Sequence, residues 1–370
     1  MKLLVIFIFM TPILSAQSNM EFEPGKIWND TEGNVINAHG GGILKHKKTY
    51  FWFGEIKENG KNGGLAMKGV SCYSSKDLYN WKNEGIALKV IQDTTNMLQP
   101  GCVLERPKVI YNAHTKKFVM WFHHELKGKG YAAAMAGCAV SDKVTGPYTY
   151  LFSKRINAGI WPQDISKEIK EDTIKEKDLK RGSDDWKLAI KNGLFLRRDF
   201  AGGQMSRDMT LFVDDDKKAY LITASEENQT LHFHELNQTY TDFNGKYYRV
   251  FPGGRNEGPA LFKKDGVYYM FSSGLTGWKP NPGKSASAKK ITGEWKDLGN
   301  PCRGTEEENN TTFKSQSTFV LTLGGKSKKY LFLADRWKSE DLKDSRYIWL
   351  PIAFEAEKPI LKWEDKWKIK

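Results

Sequence analysis

The chain lacks the residues that announce many common chemistries. Its 370 residues hold only four cysteines, Cys72, Cys102, Cys138 and Cys302, set far apart, with no CxxC pair and no zinc-ligand spacing. There is no GxSxG nucleophile elbow, no Walker loop and no HExxH helix, and the Gly40–Gly42 run lacks the partners of a phosphate site. Long apolar runs are missing too. The stretch Leu3–Met10 is too short to cross a bilayer. Preceded by Lys2 and followed by the small residues Ser15-Ala16, it reads as a secretory signal over residues 1–16. A secreted or periplasmic protein without membrane insertion is therefore expected. In that compartment a disulfide is permitted, and buried free thiols fit the cysteines equally well. Acidic residues are the minority, 44 against 57 basic, for a net charge of +13. The lysines are scattered through turns and no arginine-rich helix occurs, which argues against a nucleic-acid partner and for a solvated basic surface. Attraction to an acidic polysaccharide or cell envelope is a weaker alternative.

What the chain has in abundance is repetition. Five segments begin with a polar residue and run into an apolar strand: His39-Gly40-Gly41-Gly42, Glu105-Arg106-Pro107-Lys108, Asp208-Met209-Thr210-Leu211, Glu257-Gly258-Pro259-Ala260 and Gln316-Ser317-Thr318-Phe319. Each turns into a second aromatic-rich strand, at Tyr50–Gly54, Phe118–Phe122, Tyr220–Ala224, Tyr268–Ser272 and Tyr330–Ala334. Turn residues such as Asn112–Lys117, Asp214–Lys218 and Lys263–Gly266 separate the pairs, as hairpins require. A third element follows most hairpins, at Gly69–Ser75, Ala136–Ser141 and Ser285–Ala288. A fourth carries Trp81, Tyr148, Trp295 or Trp363. Three or four strands per unit and five units predict an all-β, five-bladed β-propeller, whose first strands line the axis and bring the five polar slots together.

The slots are spaced by 66, 103, 49 and 59 residues. The excess in the second interval falls in residues 156–205, where the charged stretch Lys167–Trp186 reads as a rim insertion with a short helix near Lys177–Leu179. Residues 17–370 are otherwise expected to form one propeller domain, acting as a monomer. The segment Trp28–Ile36 and the tail Tyr347–Lys370 are the candidates for closing the ring.

Carboxylates gathered at an axis suggest acid/base chemistry. Glu257 sits at the mouth of an apolar strand, where desolvation would raise its pKa and suit it to donate a proton. Asp208 could tune that acid, or pair with a basic neighbour. Glu105 is a candidate base or sugar-hydroxyl acceptor, and Arg106, next along the strand, should point the other way. Gln316 could hold a water or a hydroxyl. His39, Gly40 and Gly41 allow close approach to the backbone and enter the candidate binding set with Arg106. Loop aromatics Trp278 and Trp337 could stack on sugar faces, as could Trp161. The acids Asp214–Asp216 are explained by turn chemistry.

These residues resemble glycoside hydrolase family 43. The resemblance rests on the fivefold repeat, on Asp208 ahead of Phe212-Val213-Asp214, and on Glu257-Gly258-Pro259. Asn37-Ala38-His39, Leu104-Glu105-Arg106-Pro107 and Ser315-Gln316-Ser317 are similar to the branch of exo-β-1,3-galactanases and related β-galactosidases. The resemblance implies inverting hydrolysis, with Glu257 as general acid and Asp208 as its pKa-modulating partner. Most of the family carries a base Asp before a Pro at the start of blade one, and here Asn37-Ala38-His39 offers no carboxylate. The branch is thought to use a glutamine, here Gln316; on chemical grounds Glu105 is the better proton acceptor and Gln316 the water holder. The expected substrate is a polysaccharide or oligosaccharide, β-1,3-galactan or a related β-galactoside. An arabinofuranosidase or xylosidase of the same family, or a non-catalytic glycan-binding propeller, is the alternative. No cofactor is called for; a structural calcium or sodium ion near His39 is left open.

Overall fold

A computed structural model of the protein describes residues 19–325 and 328–369. The leader proposed for residues 1–16 lies outside them. The chain forms five four-stranded antiparallel sheets, each ordered as its strands occur in the sequence. The first strands are His39–His46, Val103–Asn112, Met209–Val213, Glu257–Lys264 and Gln316–Leu323. Each packs beside the first strands of its neighbours, and the last packs on the first, so the ring closes around an axis. The architecture is a five-bladed β-propeller. Among the described residues no helix is long and apolar enough to cross a membrane.

The hairpins form where the sequence permits left-handed backbone. Lys47, Lys116 and Lys217 have positive φ, and Asp265-Gly266 places two such residues in succession, as a tight hairpin turn needs. Both faces of each blade are apolar because each is covered by a neighbour. Phe53, Cys72 and Leu88 of blade one meet Leu104, Phe118 and Phe122 of blade two. Equivalent cores lie between each successive pair, and between blades five and one. The Trp81, Tyr148 and Trp295 positions precede their fourth strands rather than lying in them, and Trp363 follows its own. Trp81 and Trp121 are fully enclosed, so truncating either to alanine would cost about 3–5 kcal/mol. All four cysteines are buried free thiols.

The tail does both jobs considered for it. Arg346–Glu355 and Lys358–Leu361 complete blade five, and Phe22 then exchanges two backbone hydrogen bonds with Trp367, at 2.8 and 3.1 Å. Across to the segment leading into blade one, the Tyr347 hydroxyl accepts from the Ala38 N–H at 2.8 Å and donates to the Ile36 carbonyl at 3.0 Å. The insertion is more helical than expected. Lys177 lies in a single 3₁₀ turn, Glu176–Asp178, while α-helices form at Lys167–Glu171, Asp184–Lys191 and Leu194–Arg198. Ser166 and Ser183 cap the first two, and Trp186, Ile190 and Phe195 give the insertion its own small core.

Candidate active site

Four of the five slots open together at one end of the axis, into a pocket of about 240 Å³. Glu105, Arg106, Asp208, Glu257, Gln316, Trp278 and Trp337 all line it. What aims these side chains is a repeated irregularity. The strand register shifts just after the slot in blades one, two, four and five. In three of them the residue after the slot is left-handed: Gly40 at φ 59°, Arg106 at φ 56° and Gly258 at φ 56°. Such bulges bend the strand end and re-aim side chains. Arg106 therefore does not alternate away from Glu105, as a regular strand would demand; both face the pocket.

Arg106 is the hub. Its Nε and Nη2 donate to the two oxygens of Asp208 at 3.0 and 2.8 Å, and Nη2 also reaches Gln316 Oε1 at 2.5 Å. Burial opposes its charge, yet Asp208 and Glu55 outweigh this and hold the guanidinium protonated. Asp208 Oδ2 further accepts from the Gly258 N–H at 2.8 Å. Gln316 is fixed at both ends: Oε1 also accepts from Trp337 Nε1 at 3.0 Å, and Nε2 donates to Ser273 Oγ at 3.0 Å. Trp278, 42 % exposed, stands edge-on to Trp337 with ring centroids 5.5 Å apart, so two indoles form one wall.

The carboxyls are driven apart electrically. Burial, then the charge of Asp208, pushes the Glu257 carboxyl up to about 8, so it keeps its proton at neutral pH. Asn228 Nδ2 donates to its Oε1 at 2.8 Å. Glu105 moves the opposite way. Burial alone would raise it, but Lys57, whose Nζ lies 3.6 Å away, and His123, with Nδ1 3.3 Å away, outweigh this; with the Tyr131 hydroxyl donating at 2.9 Å they bring it down to about 2. A carboxylate so well satisfied is a weak proton acceptor, which corrects the view of Glu105 as the easier base. His123 is held charged, up to about 9, because Glu105 and Glu125 overcome the effect of its burial.

Blade one departs most from expectation. His39 does not line the pocket. It is fully buried, stacked on Tyr347 with centroids 5.0 Å apart, and its Nδ1 lies 3.2 Å from Asp335 Oδ1. Gly40 and Gly41 lie below the pocket as well: a Cβ on Gly40 would come within 1.9 Å of Glu55 Oε1, and one on Gly41 within 1.8 Å of the Phe53 carbonyl. The bulge at Gly40 turns the slot inward, and its bare backbone admits the carboxylate of Glu55, the cross-strand partner of His39. Blade one thus supplies an acid after all, from its second strand. Glu55 is ion-paired with Lys57 and accepts from the Arg106 N–H at 3.0 Å, while burial raises its pKa. Glu55, Lys57, His123, Tyr131, Arg207 and Asn228 are pocket residues that the repeat did not disclose. A signal existed for two. Glu55 and His123 directly follow the apolar runs of their second strands, and a strand antiparallel to the first must end where the first begins. Trp161 lies outside the pocket, stacked on Phe200 at 4.1 Å. Among the described residues no group of three or more His, Cys, Asp or Glu side chains is arranged to hold a metal ion.

A protonated carboxyl beside an Arg-paired carboxylate, at the mouth of a five-bladed ring walled by indoles, is the apparatus of a glycoside hydrolase. The comparisons agree. The family model for glycosyl hydrolases family 43 matches residues 185–348. A family 43 β-1,3-galactosidase solved with galactodeoxynojirimycin is 50% identical, with a TM-score of 0.91, over 94% of this chain and 100% of its own. The exo-β-1,3-galactanase of Clostridium thermocellum is 36% identical (TM-score 0.77), covering 94% of this chain and 66% of that one. That of Phanerochaete chrysosporium, solved with β-1,3-galactotriose, is 32% identical (TM-score 0.75), covering 95% and 68%. None of the curated proteins matches. The chain belongs to glycoside hydrolase family 43.

Proposed function

We propose that this enzyme releases galactose from the end of β-1,3-linked galactan or a related β-galactoside, with inversion at the anomeric carbon. The observation that carries the substrate is the 50% identity to a β-1,3-galactosidase over that protein's whole length. The observation that carries the acid is the neutral, desolvated carboxyl of Glu257 at the axis. Glu257 donates its proton to the glycosidic oxygen as the bond to the anomeric carbon breaks. Asp208, fixed by its two bonds to Arg106, sits beside Glu257 and keeps that carboxyl protonated until that moment. Water, oriented by Gln316, attacks from the opposite face and releases its surplus proton to bulk water, from which Glu257 is later recharged; Gln316 itself is set by Arg106, Trp337 and Ser273. Glu105, an acceptor at every working pH, grips a sugar hydroxyl, and the Trp278–Trp337 wall takes the apolar face of a sugar ring. No step calls for a cofactor. The leader-like residues 1–16 support action outside the cytoplasm, where polymeric galactan is met.

The test is product analysis by NMR on β-1,3-galactan, beside rates on nitrophenyl galactoside, arabinofuranoside and xyloside. The reading expects galactose alone, first seen as the α-anomer, and at least a tenfold preference for the galactoside. Prompt appearance of the β-anomer, or preference for a pentoside, overturns it. Glu257→Gln should lose nearly all turnover while keeping the fold; wild-type turnover in that variant removes Glu257 from the role.

A further inference from the structure

Asn228 holds Oε1 of Glu257 and so leaves Oε2 to carry the acidic proton toward a leaving group. The backbone presenting Asn228 is strained. Glu226, Glu227 and Asn228 are all left-handed, at φ 51°, 58° and 60°. Side chains with a Cβ avoid this region, and three in a row persist only where the surroundings fix them.

The surroundings come partly from the blade itself and partly from the insertion. Glu226 is fully buried and accepts from Arg249 Nε and Nη2 at 2.7 and 2.8 Å, with His232 Nε2 2.7 Å away. The same guanidinium donates to the carbonyls of Ile190 and Lys191, at 3.1 and 3.0 Å, at the end of the insertion's helix Asp184–Lys191. Glu227 accepts from Arg198 at 3.0 Å, the last residue of helix Leu194–Arg198, and from Arg207 at 3.2 Å. Helix Leu194–Arg198 thus grips Glu227 directly, helix Asp184–Lys191 braces Glu226 through Arg249, and the third residue of that turn touches the carboxyl at the axis.

We propose that the insertion over residues 156–205 is a positioning device for the acid: through Arg249 and Arg198 it locks the turn 226–228, which sets Asn228 against Glu257 and fixes the oxygen that bears the proton. This rests on Glu257 being the general acid. Asn228 and Arg198 are positioning residues; Arg198 does not line the pocket.

The experiment compares Arg198→Met, Arg198→Lys and Asn228→Ala with wild type by kcat, KM and pH–rate profile on nitrophenyl galactoside, with melting temperature measured alongside. Asp208, Arg106 and Arg207 face Glu257, and Lys284 feels its charge; all stay in place in each variant. Arg198→Met should lower kcat by roughly 10- to 100-fold at unchanged KM, as misplacement of a reacting group does. Asn228→Ala should lower kcat similarly. Because the Asn228 bond favours the ionised carboxyl, both variants should move the alkaline limb to higher pH. Arg198→Lys should recover part of kcat. A lower melting temperature in Arg198→Met with wild-type kcat and pH profile overturns the proposal, as does a wild-type profile in Asn228→Ala. If Glu257→Gln retains turnover, the assignment of the acid has failed instead; if that variant is dead while these three behave as wild type, only the positioning device has failed.

Discussion

Arg106 meets Asp208 in a two-bond fork, with Nε to Oδ1 at 3.0 Å and Nη2 to Oδ2 at 2.8 Å. Paired fork geometry is the strongest that guanidinium and carboxylate make. Here it crosses from blade two to blade three, and Asp208 continues it to the Gly258 N–H of blade four while Arg106 reaches Gln316 of blade five. Four blades are thereby registered around one charge pair. The strain of holding Arg106 at φ 56° is offset by these bonds.

Asp208→Asn should act on both stability and pH dependence. It strands a buried guanidinium, which costs about 3–5 kcal/mol. It also removes the nearby negative charge that raises the pKa of Glu257. The alkaline limb of the pH–rate profile should therefore move to lower pH, with kcat reduced. Urea unfolding and a pH–rate series measure the two effects, and an unmoved limb would show that Asp208 does not tune the acid.

The Glu257 carboxyl should make stability fall as pH rises. Unfolded, it ionises near 4.5; folded, it holds its proton up to about 8. Between those values the folded state binds more protons, so stability declines with rising pH and levels off above about 8. Glu257→Gln, which cannot ionise, should match wild type near pH 4. It should exceed wild type above pH 8 by on the order of a few kcal/mol. Melting curves across that range decide it; a gap that ignores pH rejects the shifted carboxyl.

Glu105 works in the other direction. Its folded pKa of about 2 lies below the unfolded 4.5, so its stabilisation is complete above pH 4.5 and is lost as pH falls toward 2. Glu105→Gln should lower stability at pH 7 and converge with wild type in acid. If Glu105 grips a sugar hydroxyl, the variant should raise KM by roughly 10- to 100-fold, the worth of a charged hydrogen bond. The alkaline limb, set by Glu257, should remain. A normal KM would remove Glu105 from substrate contact.

The sequence by itself determined the number of blades, the first and second strands, and the slots Glu105, Asp208, Glu257 and Gln316. These follow from alternation and hairpin chemistry, which are local, and from the closure of a fivefold repeat, which forces equivalent positions together. Even the Glu257 environment was legible, since a carboxyl at the mouth of an apolar strand must be desolvated. Tertiary structure alone decided what happens one residue past each slot. A bulge breaks the period of two, so Arg106 faced the pocket against expectation, His39 turned into the core against Tyr347, and Glu55 entered over Gly40. Likewise, no local pattern reveals that Lys57 and His123 converge on Glu105 and leave it a weak base. Proton affinity depends on charges brought close across blades, and those distances exist only once the ring has closed.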